Sequence, residues 1–226
     1  MDLMERLEEL KVLFFKNIRY RQRFFLYFGG FTNTVFLVFH FVVAAYYQSK
    51  WFYVIGLYNL CIAVIRAYLS RKEALLQVYE KKGQPISFME GTITSRVACM
   101  MIVMNMVIAI MSLLIVYKEE TFQYHFIILY ALAIYVFVKL GMIIVALIQK
   151  KPHHNGIWKT VQLMNLEIAM VSVFTFQTAL LNNYEPNLVV RSRYNLMTSC
   201  IVFGVNLVIT FWLFWRGRKL RKEGNA

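Results

Sequence analysis

"VACMMIVMNMVIAIMSLLIVY", residues 97–117, runs for 21 residues without a charge. At about 1.5 Å per residue an α-helix of that length spans the roughly 30 Å hydrocarbon core of a bilayer. A β-strand of a membrane barrel would alternate polar and apolar residues, and this run does not. Only a helix leaves no open backbone hydrogen-bonding group in lipid, so the run reads as a transmembrane helix.

Five more such runs lie around it, near 24–47, 51–70, 125–149, 160–181 and 194–215. The composition agrees. The chain is 59% hydrophobic and 16% charged, too little polar surface for a soluble domain of 226 residues. The sequence therefore predicts an all-α integral membrane protein with six transmembrane helices in a single domain, 1–226. Residues 1–23 precede the bundle, 24–215 form it, and 216–226 make a basic tail. The first apolar run is too long for the core of a removable leader and follows an amphipathic stretch, so it reads as a span. In that stretch Leu3, Leu7, Leu10, Phe14 and Ile18 share one helical face and Glu5, Glu8, Glu9, Lys11 and Lys16 cover the other. It reads as an amphipathic helix at the membrane surface or under the bundle.

The net charge of +13 would suggest nucleic acid in a soluble protein, but its distribution points to lipid. Segments 1–23, 71–96, 150–159 and 216–226 hold six, five, three and five Lys/Arg, against one, one and two in 48–50, 118–124 and 182–193. This asymmetry predicts both termini in the cytoplasm, with the basic rim against anionic headgroups. Short connections suit a bacterial inner membrane. Aromatic residues fall at the expected depths, with Tyr46, Tyr47 and Trp51 at the outer side and Trp158, Trp212 and Trp215 at the inner.

The phrase "MNMVIAIMS", 104–112, returns as "MNLEIAMVS" at 164–172, and helix 1 carries "TNTVFLVFH" at 32–40. Aligned, these give Asn33, Asn105 and Asn165, followed two turns later by His40, Ser112 and Ser172. Helices 2, 4 and 6 align on Tyr58, Tyr130 and Tyr194. The pattern predicts three two-helix hairpins about a pseudo-threefold axis along the membrane normal, with polar stripes facing a shared cleft.

Ionisable groups at membrane depth are costly and mark functional positions. Lys139 lies about 15 Å and Glu167 about 10 Å from the inner surface by helix rise, on consecutive helices, and an ion pair between them is expected. Arg66 is expected to extend to the inner headgroups. His40 is expected to be neutral and hydrogen-bonded to a neighbouring helix. His153 and His154 read as a solvated inner loop. Cys61, Cys99 and Cys200 lie within apolar runs without metal-ligand spacing, and no cofactor or metal is expected. Nucleophile elbows, zinc-protease and nucleotide-loop motifs are absent, which argues against an enzyme.

The reading that results is a small transporter or channel-like protein for a small, anionic or zwitterionic solute. Its polar path would be lined by Asn33, His40, Asn105, Ser112, Asn165 and Ser172, with Lys139 and Glu167 as charged gate or binding pair. The alternative is a non-transporting subunit, anchor or sensor docked to a partner. The topology has a direct check. With the native cysteines replaced by alanine, a single cysteine placed in the 71–96 connection reacts with a membrane-impermeant maleimide from the cytoplasmic side only. Labelling from outside intact cells contradicts the orientation.

Overall fold

The computed structural model describes residues 18–82, 86–118, 125–148 and 156–224. These residues form six helices: α1 (Ile18–Tyr47), α2 (Lys50–Lys81), α3 (Ser87–Lys118), α4 (Phe126–Ile148), α5 (Gly156–Tyr184) and α6 (Leu188–Glu223). Five segments, Leu26–Tyr47, Lys50–Glu80, Ser87–Ile115, Ile157–Tyr184 and Leu188–Glu223, are long and apolar enough to cross a membrane, while α4 contributes a shorter apolar stretch, Leu132–Val145. The described residues are thus helical throughout apart from short connections, and their apolar helices are those of an integral membrane protein.

The helices outrun the predicted spans. Residues 18–23, assigned above to the amphipathic segment, continue into α1, and residues 1–17 lie outside the described set. The stretch "RKEALLQVYEKK" prolongs α2 without a break, and α6 runs on through the basic tail to Glu223. No proline interrupts those stretches, so hydrogen bonding propagates past the apolar boundary. The ends have local causes. Gln48, at φ 50°, reverses the chain in the left-handed region just after α1. Asn187 caps α6, its side-chain oxygen accepting from Val189 N and Val190 N at 3.0 and 3.3 Å.

The packing order departs from three hairpins. α1 packs on α2, α2 on α3, α4 on α5 and α5 on α6, while α3 and α4 share no interface among the described residues. Instead α3 lies along α6, its most extensive contact, and also touches α5, with a smaller contact between α2 and α5. Phe36 of α1 meets Tyr135 of α4, ring centroids 5.8 Å apart. The bundle is therefore two three-helix halves, α1–α2–α3 and α4–α5–α6, meeting along α3/α6, α3/α5 and α2/α5. Nor do the aligned tyrosines share surroundings. Tyr58 is 5% exposed, whereas Tyr130 and Tyr194 are 66% and 54% exposed. A pseudo-threefold arrangement would have made them equivalent.

Close approach explains the α3/α6 pairing. Helices in lipid gain little from hiding apolar surface and associate through tight packing, which small residues permit. On α3, Ser87, Gly91 and Ser95 recur every fourth residue and meet Gly217 of α6 and Gly224 just past its end. A methyl group added at Gly91 would stand 2.6 Å from Arg221 N and 2.7 Å from Gly217 O. One added at Gly217 would stand 2.8 Å from Ser95 N and 2.9 Å from Gly91 O. These neighbours are backbone atoms and cannot step aside. Further along, Met101, Met104, Asn105, Ile108 and Met111 form the buried stripe of α3, while Val103, Met106, Ile110 and Leu113 face outward. Both faces are apolar, so hydropathy gave no sign of which would be buried.

At the basic end, Arg23 Nε donates to both oxygens of Glu73 at 3.0 and 3.1 Å, joining α1 to α2. Lys159 and Arg216 both lie over the Trp212 ring, 5.1 and 5.4 Å from its centroid, as expected of an aromatic belt meeting basic side chains.

Gly217→Val should destabilise the bundle by about 2 kcal/mol or more, because the two backbones must separate. A methyl at Gly204 meets nothing within 4 Å, and Gly204→Ala should be neutral or slightly stabilising. Thermal melts of both variants in one detergent provide the comparison.

Candidate functional site

α5 organises the polar interior because it carries hydrophilic side chains on two faces. At about 100° per residue, Asn165 and Ser172 differ by about 20° around the helix, while Glu167 points about 160° away from Asn165. The two faces meet different helices.

On the first face, Arg66 Nη2 of α2 donates to Asn165 Oδ1 at 2.8 Å. Lys139 Nζ of α4 donates to Ser172 Oγ at 2.9 Å and to Tyr135 Oη at 3.2 Å, and lies 5.0 Å from the Tyr135 ring centroid. Ser172 passes its own proton to Ile168 O at 2.8 Å. Asn165 and Ser172 stand two turns apart, so the two cations lie on the same side of α5, their acceptors about 10 Å apart along its axis. The Arg66 guanidinium occupies a notch in α1. A methyl added at Gly29 would overlap Nη1 and stand 2.5 Å from Cζ. Asn33, 6% exposed, is one turn beyond Gly29 on the same side of α1.

On the second face, Glu167 is completely buried. Asn105 Nδ2 of α3 donates to Thr210 Oγ1 of α6 at 2.9 Å, and Thr210 Oγ1 donates to Glu167 Oε1, also at 2.9 Å. Glu167 Oε2, Asn105 Oδ1 and both polar atoms of Asn206 have no hydrogen-bond partner among the described residues. Toward the other end of the α5/α6 seam, Thr178 donates to Asn195 Oδ1 at 3.2 Å and Thr198 to Gln177 Oε1 at 2.9 Å.

Three expectations are corrected here. Lys139 and Glu167 form no ion pair, because five residues of α5 separate Glu167 from Ser172 and turn them about 140° apart, placing the two charges on different faces. Arg66 does not reach the headgroups. It is 8% exposed and turned inward by the Gly29 notch and the Asn165 acceptor. His40 bonds within its own helix, Nδ1 donating to Phe36 O at 2.6 Å, with the rings of Phe36, Phe39 and Phe52 around it.

The single polar path also divides. Asn165, Ser172 and Lys139 come together on one face of α5, and Asn105 and Glu167 on the other. Ser112 caps back onto Ile108 O of its own helix at 2.9 Å and joins neither. Sequence reasoning counted Asn206 only among the polar groups of the even-numbered helices and missed Tyr135 and Thr210. Tyr135 stands one turn before Lys139, and Asn206 one turn before Thr210, a spacing that was open to view. His153 and His154 lie outside the described residues. No group of three or more His, Cys, Asp or Glu able to hold a metal occurs among the described residues. No family model, curated protein or solved structure matches the chain, so the arrangement is read from its own geometry.

The Gly29 notch makes a checkable claim. Gly29→Ala should cost about 1–3 kcal/mol by displacing the guanidinium, and most of that penalty should vanish in an Arg66→Ala background. A double-mutant cycle on melting free energies measures the coupling. Additive penalties contradict the assignment.

Proposed function

We propose that the chain is a small multi-pass transporter whose intramembrane site accepts a small anion between Arg66 and Lys139. One observation supports this above the others: two cations from different helices, α2 and α4, converge on the same polar face of α5 with Asn165, Ser172 and Tyr135 as neutral companions. Two cations on one face of a helix in low dielectric are costly, and an anion bound between them offsets both charges. The guanidinium offers a flat fork suited to carboxylate or phosphate-type oxygens, and the ammonium adds a point charge. Hydroxyl and amide groups supply directional contacts.

The location supports the same reading. α2 belongs to one three-helix half and α4 and α5 to the other, so the site spans the boundary between them. Carriers built from two halves place the substrate at such a boundary and expose it to alternate sides by rocking. An odd number of spans per half would orient the halves oppositely, provided α4 also crosses the membrane. On this reading both termini face the cytoplasm of a bacterial plasma membrane, and the basic ends of α5 and α6 rest on anionic lipid.

Purified protein in liposomes should take up one or more members of a panel of labelled small carboxylates, phosphates and sulfonates. Lys139→Gln and Arg66→Gln should each weaken uptake at least tenfold, the scale of losing one charged contact to a buried anion. Arg66→Lys should recover only part of it, because the fork is gone. No uptake of any member by wild type, or equal uptake by wild type and both glutamine variants, overturns the proposal. Stable co-purification of a partner with inactive protein would favour the subunit reading.

A further inference from the structure

The second polar face of α5 has no part in the anion site. Glu167 is completely buried there, and among the described residues no Lys or Arg pairs with it. A carboxylate at such depth needs compensation, since an isolated buried charge is very costly. The hydrogen-bond chain gives little. Asn105 donates to Thr210 and Thr210 donates to Glu167, so one neutral bond reaches Oε1 and none reaches Oε2.

The oxygens left over are grouped. Asn105 Oδ1 belongs to the amide that starts the chain. Asn206 lies one turn from Thr210 on the same side of α6, is completely buried, and has neither its oxygen nor its nitrogen bonded. Buried polar groups are almost always satisfied, so several orphans on three helices around one carboxylate indicate a missing positive partner. Carboxylate and amide oxygens are hard donors that suit a proton or an alkali ion, and a single carboxylate balances a single charge.

We propose that Glu167, with Asn105 and Asn206, binds an exchangeable monovalent cation, a proton or a sodium ion, in the seam between α3, α5 and α6. The titratable and charged groups around it are few. α2 brings Tyr58, buried with its hydroxyl unbonded among the described residues, and Arg66, which is bonded across to Asn165. α4 brings Tyr135 and Lys139, both on the far face. α3 and α6 present Asn105, Asn206 and Thr210, which do not titrate. The cation would sit behind the helix whose opposite face holds the cation pair, so its binding and release would be felt there through a shift of α5 itself.

This inference stands independently of the anion reading and is tested without any solute. A ligand held by the folded form and released on unfolding stabilises by mass action. Purified wild-type protein should therefore melt higher, by about 3 °C or more, either as pH falls or as sodium replaces choline at fixed ionic strength and pH. The first response alone identifies a proton, and the second a sodium ion. Glu167→Gln should melt independently of both, and Asn206→Ala should need a higher concentration of the same ion. Identical responses in wild type and Glu167→Gln overturn the site, as does no response in wild type. If Glu167→Gln does not fold, infrared difference spectra of wild type decide: a buried carboxyl C=O band that changes with pH or sodium supports the proposal, and an unchanged spectrum refutes it. Loss of anion uptake with these responses intact would refute only the anion site.

Discussion

The backbone contact between α3 and α6 sets the position of everything else. Gly91, Ser95 and Gly217 let the two helices touch without intervening side chains, in a setting where apolar surface alone gives no reason to pair. α3 lies along α6 and also touches α2 and α5, and among the described residues it makes no contact with α4, its successor in the chain. α4 then packs against α5, and the molecule becomes two three-helix halves rather than three hairpins. The same pairing brings Asn105 to Thr210 and encloses Glu167.

α5 is the helix through which the two halves communicate chemically. Its Asn165 and Ser172 receive Arg66 and Lys139, and its opposite side holds Glu167. Positive and negative charges are thereby kept on opposite sides of one helix instead of neutralising each other. A direct Lys139–Glu167 pair would have been a structural brace. Separated, each charge is held by partners of its own: Ser172 and Tyr135 for Lys139, and Thr210 for Glu167. The Gly29 notch in α1 belongs to this design, because it admits a guanidinium where any larger residue would push it away.

Residue by residue, legibility followed the length scale of the cause. The helical character of 97–117 was plain because lipid allows no other answer for an uncharged run of that length. Lys139 and Glu167 stood out because ionisable residues are rare in such runs; Glu167 is completely buried and Lys139 half-buried. The repeat of Asn, Ser and Tyr misled, since similar phrases in an apolar alphabet do not enforce similar neighbours. Asn105 and Asn165 are both turned into the protein, yet one meets Thr210 and the other Arg66. Arg66 was misread because snorkelling depends on what lies beside the side chain, and the glycine notch that receives it comes from another helix.

The sequence by itself determined that this chain crosses a membrane as helices, which residues sit at membrane depth, and on which angular face of its helix each one lies. Those properties follow from hydrophobic length and from 3.6 residues per turn, both local. Tertiary structure alone decided which helix met which face, and so whether Lys139 would find Glu167 or Ser172. In lipid all the outer surfaces are similarly apolar. Partner choice therefore rests on a few small residues and the shapes they allow, and shape complementarity between distant segments is not written in the pattern of either one.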